Sequence, residues 1–189
     1  MFLGPAPTKG RLLVATPPLE DPNFDRTVVY MLEHHDQGAL GVIINRPTPE
    51  QLAEPLDRWS ELQPSPGSMF LGGPVETDAL IALALTKQPL DEATDELAPV
   101  SGTIASADLT TDPVFVAARV DAVRVFRGYA GWGPGQLESE IEAGAWLVLD
   151  AEPTDVFATE PDALWRTVLR RQGGRLAWLA EAPDDLSSN

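Results

Sequence analysis

The chain of 189 residues contains no cysteine, which removes disulfides, thiolate nucleophiles and cysteine-ligated metals from its chemistry. Histidine is almost as scarce. His34 and His35 are the only two, and because neighbours on a strand point to opposite faces they are poorly placed to share one ion. No segment has the spacing of a calcium loop either, so no metal is expected. Basic residues are few: 13 Lys and Arg stand against 29 Asp and Glu, a formal net charge of -16. Charge of that sign repels phosphate backbones and anionic lipids, so neither nucleic acid nor a membrane is an expected partner. No run approaches the roughly 20 apolar residues of a membrane helix, and residues 1–11 lack the apolar stretch and cleavage site of a secretory signal. A cytoplasmic location is the expectation. The strained Gly-x-Ser-x-Gly turn that presents a serine nucleophile is also missing.

What remains fits one domain over residues 1–189, with 1–10 and 184–189 as loose ends. Residues 12–16 form an apolar run of strand length closed by Pro17 and Pro18. A turn at Asp21-Pro22-Asn23-Phe24-Asp25 precedes a second strand, 26–34, whose alternation sets Val28, Tyr30, Leu32 and His34 on the face expected to be the core. His35-Asp36-Gln37-Gly38 turns the chain into a third strand, 39–44, apolar on both faces. Leu52, Leu56, Trp59 and Leu62 have helical spacing and predict a helix over 50–62, kinked at Pro55. Residues 68–71 and 79–85 follow as strands. Polar, acidic residues 87–100 predict a mobile loop. A short strand at 103–105, a helix over 111–120, a strand at 122–127 and another at 146–149 come next. Leu164, Trp165, Val168 and Leu169 make one stripe of a helix over 161–171.

The most tightly specified stretch runs from Phe126 to Trp146. Gly128, Gly131, Gly133 and Gly135 are interrupted by Tyr129 and Trp132. Pro134 suits a helix start, Leu137 and Ile141 fall on one helical face, and Gly144 stands where a left-handed cap would end it. The reading is strand, glycine corner, short helix, strand. A dinucleotide site is the functional alternative, but the third glycine of the fingerprint is absent and Glu138, Glu140 and Glu142 would repel a pyrophosphate. No cofactor is expected.

The sequence Gly-Tyr-Ala-Gly-Trp-Gly-Pro-Gly-Gln-Leu-Glu at 128–138, with Glu140-Ile141 and Ala145-Trp146, closely resembles the signature of the bacterial YqgE/AlgH family. Further matches are Asp21-Pro22-Asn23-Phe24 with Arg26, Glu33-His34, the segment from Gly38 to Pro47, and Gly72-Gly73-Pro74-Val75. They carry the resemblance from about Gly10 to Asn189. What it implies is the fold class: α+β, a single domain with a strongly curved, mainly antiparallel β-sheet, a partial barrel, flanked by α-helices. For some members it implies a transcription-regulator label, and it names no reaction.

Asn23, Arg26, Asn45, Arg46, Gln136 and Glu138 each sit beside a turn glycine or proline at a signature position, and with His34 they form the candidate ligand-binding cleft. The same groups can instead satisfy buried backbone atoms of the turns, with Arg46 or Arg26 pairing Glu138. His34 can be read as a base oriented by Asp21 or Glu33, or as a hydrogen-bonded core residue. Three functions follow. The first is a non-enzymatic regulatory or interaction protein acting through a protein or small-molecule partner. The second is a small-molecule-binding enzyme using this cleft, and the third a transcriptional regulator, which the net charge disfavours.

Overall fold

Leu12, Leu13, Val14 and Ala15 are all buried, so both faces of the first strand are covered and the uninterrupted apolar run is explained. The computed structural model describes residues 7–17 and 21–181. In chain order the strands are β1 (Arg11–Ala15), β2 (Val28–His35), β3 (Gly38–Ile43), β4 (Phe70–Leu71), β5 (Val75–Thr86), β6 (Leu97–Ser101), β7 (Ile104–Ala107), β8 (Val120–Trp132) and β9 (Trp146–Asp150). The α-helices are α1 (Gln136–Glu142), α2 (Leu164–Gln172) and α3 (Gly174–Leu179). The sheet order is β6-β7-β5-β8-β3-β2-β1-β9, with β4 joined to β8 as the parallel pair in an otherwise antiparallel sheet. The sheet curls into a half-barrel carrying a few helices, a single α+β domain as expected.

Alternation along the strands divides the core. Leu12, Val14, Val28, Tyr30 and Val42 pack with Phe126 and with Trp165, Val168 and Leu169 of α2. Leu13, Ala15, Val29, Met31 and Ile43 pack on the other face with Trp132, Trp146 and Leu137 of α1. A third cluster joins Ala82, Ala84, Val123 and Val125 to Leu52, Trp59 and Leu97. Arg124 is buried at 1 % exposure among apolar neighbours. Its guanidinium lies 4.3 Å from the centre of the Phe70 ring and donates to the carbonyls of Pro64, Ser65, Val156 and Ala158. Burial pushes it down to about 10. No carboxylate is needed, because four carbonyl dipoles and the ring face receive the charge.

Several expectations are corrected. The helix over 50–62 is reduced to a 3-10 helix at Asp57–Leu62. Pro55 lacks the N–H and clashes with the preceding turn, yet Leu52 still reaches the core from irregular chain and Trp59 from the 3-10 helix. The helix over 111–120 is one 3-10 turn, Pro113–Phe115, capped by the Asp112 side chain. The loop over 87–100 gives way to β6 from Leu97 onward, because Leu97 buries its side chain to 2 % exposure, and Pro99 is tolerated on an edge strand. The glycine corner is shorter than expected: β8 continues to Trp132, so Gly128 and Gly131 lie inside a strand. Those glycines serve a crossing. A Cβ on Gly128 would meet the Gly73 carbonyl oxygen at 2.4 Å, and one on Gly73 would meet the Tyr129 carbonyl at 2.2 Å. Two signature segments more than fifty residues apart therefore need glycine for the same backbone contact. Of the ends expected to be loose, 1–6 and 184–189 lie outside the described residues, whereas Thr8 is fully buried.

Candidate functional site

His34 does not share the Tyr30 face, and the reason is local. The β2–β3 register shifts between Met31 and Glu33, so at this one step β2 advances two residues while β3 advances one, and the alternation flips. His34 then pairs with Ala39 on the face that carries Met31, beneath α1. Its imidazole is closed to solvent. Nδ1 accepts the Thr8 backbone N–H at 3.0 Å, which requires an unprotonated Nδ1 and places the ring proton on Nε2, directed at Glu138 Oε1 of α1. Burial raises the Glu138 carboxyl and is the largest single influence, but the His34 hydrogen bond and a bond from its own backbone N–H together hold the group below the ordinary glutamate value. The partner is thus Glu138 rather than Asp21 or Glu33.

The turn at 21–25 is held from inside the sheet. Asp21 accepts the Asn23 backbone N–H at 2.9 Å, and the Arg46 guanidinium donates to the carbonyls of Asn23, Pro22 and Asp25. Burial lowers the Arg46 pKa, while Asp25 and Asp21 act to raise it. Asn45 extends the β2–β3 pairing with its side chain: its Oδ1 accepts the Val28 N–H at 3.0 Å and its Nδ2 donates to the Arg26 carbonyl at 3.0 Å. Arg26 adopts a positive φ of 51° and sets its guanidinium 4.7 Å from the centre of the Trp165 ring.

Gln136 closes the corner, accepting the Gly133 N–H at 3.0 Å and donating to Glu140 at 3.1 Å. Glu140, absent from the candidate set, is the hub. Its Oε1 accepts the indole N–H groups of Trp132 at 3.2 Å and Trp146 at 3.1 Å. Those rings stack edge-on at 6.0 Å, and Phe24 of the 21–25 turn meets Trp146 at 5.5 Å and Trp132 at 6.3 Å. The sequence signal for Glu140 was the need of two buried indoles for an acceptor.

Phe24 therefore links the two halves of the candidate set. Asn23, Arg26, Asn45 and Arg46 gather around one turn, His34 pairs Glu138, and Gln136 pairs Glu140, all knitted by direct bonds. Two cavities are lined by other residues. One of about 780 Å³ is bordered by Pro55, Leu56, Arg58 and Trp59 on one side and by Leu80 and residues 107–113 on the other, with Arg58 bonded to Asp112 at 2.7 Å. A second, of about 400 Å³, lies between residues 86–90, Leu97, Ala118 and Arg119. Among the described residues no three His, Cys, Asp or Glu side chains could hold a metal ion, and no helix is long and apolar enough to cross a membrane.

Residues 12–177 match the family described as AlgH-like, DUF179. A UPF0301 protein of Streptomyces coelicolor is 50 % identical over 185 residues, covering 95 % of this chain and 94 % of that protein. One from Mycolicibacterium vanbaalenii is 43 % identical over 192 residues, covering 100 % and 96 %. Among solved structures, a crystal structure of a Corynebacterium diphtheriae protein superposes with a TM-score of 0.88 at 30 % identity, covering 96 % of this chain and 95 % of that one. The solution structure of the AlgH protein from Pseudomonas aeruginosa gives 0.67 at 32 % identity, covering 98 % and 99 %.

Proposed function

The chain belongs to the AlgH-like family, and from the geometry of this member we propose a non-enzymatic, cytosolic interaction protein that takes a basic, apolar-bearing segment of a partner protein into the 780 Å³ groove. The observation that carries this reading is the clustering of exposed apolar side chains. Leu80 borders the groove at 38 % exposure, and Val114 and Phe115, at 61 % and 63 %, continue from its Pro113 rim. Among the described residues the remaining large exposed hydrophobic is Trp178 of α3. Exposed apolar groups grouped around a groove mark interaction surfaces more than scattered ones do.

Charge supports the nature of the partner. Exposed Glu54, Asp57 and Glu61 lie on or beside one wall and Asp108 on the other, in a chain of net charge -16, while Arg58 is already paired with Asp112. A segment with Lys or Arg around an apolar stripe complements that rim and floor. The catalytic alternative draws less support, because both ring nitrogens of His34 are engaged and Arg46 is committed to three carbonyls.

The test is fluorescence polarisation with an amphipathic Lys/Leu peptide and a scrambled peptide of equal charge. The amphipathic peptide should bind more tightly, and Phe115→Asp or Leu80→Asp should weaken it about tenfold or more, as loss of an apolar anchor does. Equal binding of the two peptides, or full affinity in both variants, would overturn the groove reading.

A further inference from the structure

The second cavity is lined by two cations with a single carboxylate partner between them. The Lys87 backbone N–H donates to the Arg119 carbonyl at 2.9 Å, so two cations occupy facing positions where β5 ends and β8 begins. Like charges placed opposite each other across paired chains destabilise the pairing. Glu96 answers only part of this: its Oε2 accepts from Arg119 Nη2 at 3.0 Å, and the same nitrogen donates to the Phe115 carbonyl at 2.9 Å. Among the described residues Arg119 Nε and Nη1 make no hydrogen bond, and Lys87 makes no ion pair although Asp91, Glu92 and Asp95 follow closely and are exposed. Elsewhere the abundant acids are used. Arg11 pairs Asp150, Arg58 pairs Asp112, Arg127 pairs Glu50, Arg170 pairs Glu181 and Arg171 pairs Asp155. Lys9 and Arg175 are exposed and border neither this cavity nor the groove.

The rest of the lining is apolar. Pro89, Leu90, Leu97 and Ala118 share the wall with the two cations; Leu97 belongs to the third core cluster and Leu90 packs against it. At about 400 Å³ the space lies within the usual range of small-molecule sites, roughly 300–1,000 Å³. We propose that this cavity binds a small organic monocarboxylate, the carboxylate between Lys87 and Arg119 and an apolar body against Leu90 and Leu97. The head gains charge-assisted hydrogen bonds from the ammonium and from the unused donors of the guanidinium, and its charge removes the repulsion between them. The body displaces water from an apolar wall. The site is separate from the proposed docking groove, and its failure leaves that reading intact.

The test is titration calorimetry with 4-phenylbutyrate and straight-chain monocarboxylates of four to eight carbons, against 4-phenylbutyramide as the neutral isostere. At least one carboxylate should bind saturably, and the amide should bind about tenfold more weakly or worse, the size of one lost charge-assisted contact. Lys87→Met should weaken the carboxylate by a similar factor without lowering Tm, since it removes one of the two facing charges. Lys9→Met, which changes net charge equally, should leave it unchanged. The proposal is overturned if the whole panel shows no saturable binding, if the amide binds as well as the acid, or if Lys87→Met retains wild-type affinity.

Discussion

His34 and Glu138 are joined across the sheet–helix boundary, with the buried imidazole Nε2–H donating to the carboxylate while the Thr8 backbone N–H occupies Nδ1. One side chain thereby fastens the start of the chain, β2 and α1. Glu138→Ala removes the acceptor of a buried donor and should cost about 1–3 kcal/mol in urea unfolding at neutral pH. Glu138→Gln keeps an acceptor and should cost less. The pH dependence has a definite sign. A carboxyl held below its ordinary value of 4.5 contributes stability that is fully present above that value and is lost as pH falls through the folded pKa. The wild-type advantage over Glu138→Gln should therefore shrink below about pH 4.5 in paired unfolding curves, and an advantage constant down to pH 3 would contradict this account.

Gly128 and Gly135 separate two reasons for keeping glycine. Both have φ of 73°, but a Cβ on Gly128 would meet the Gly73 carbonyl oxygen at 2.4 Å while one on Gly135 would meet nothing within 4 Å. Gly135→Ala should cost only the backbone strain, about 1 kcal/mol. Gly128→Ala must also push two chain segments apart and should cost several times as much or abolish soluble expression. Equal melting temperatures for the two variants would show that the crossing is not tight.

Arg46 spans three carbonyls of the 22–25 turn, a geometry that needs the planar fork of a guanidinium. Arg46→Ala should lower stability by about 1–3 kcal/mol, and Arg46→Lys should recover only part of it, since one ammonium cannot reach all three oxygens. Chemical denaturation of the three proteins side by side decides this. Complete rescue by lysine would reduce the role of Arg46 to its charge.

Duplex DNA should not bind appreciably. Fluorescence anisotropy in low salt should give no dissociation constant tighter than about 10 μM, because a net charge of -16 offers little counterion release. Tight, sequence-independent binding would require a basic face that the charge balance does not suggest.

Apolar runs of strand length fixed most of the sheet without help from tertiary structure. Residues 12–15 and 39–43 are uninterrupted because both faces of those strands are covered, and the 164–169 stripe is amphipathic because α2 covers one face of the sheet. Local chemistry could not decide what depended on distant partners. The shift between Met31 and Glu33 moves His34 to the other face, a choice made by pairing with β3 and invisible in the alternation of β2 alone. Leu97 becomes part of a strand because the third core cluster buries it, although the polar residues before it read as loop. Leu52 and Trp59 have helical spacing but reach the core through irregular chain and a 3-10 helix, since Pro55 forbids the regular turn while burial still rewards the side chains. The polar signature residues were visible as a set. Their partners, from Thr8 to Glu140, were not, because hydrogen bonds between residues as many as 104 positions apart are fixed only when the sheet closes.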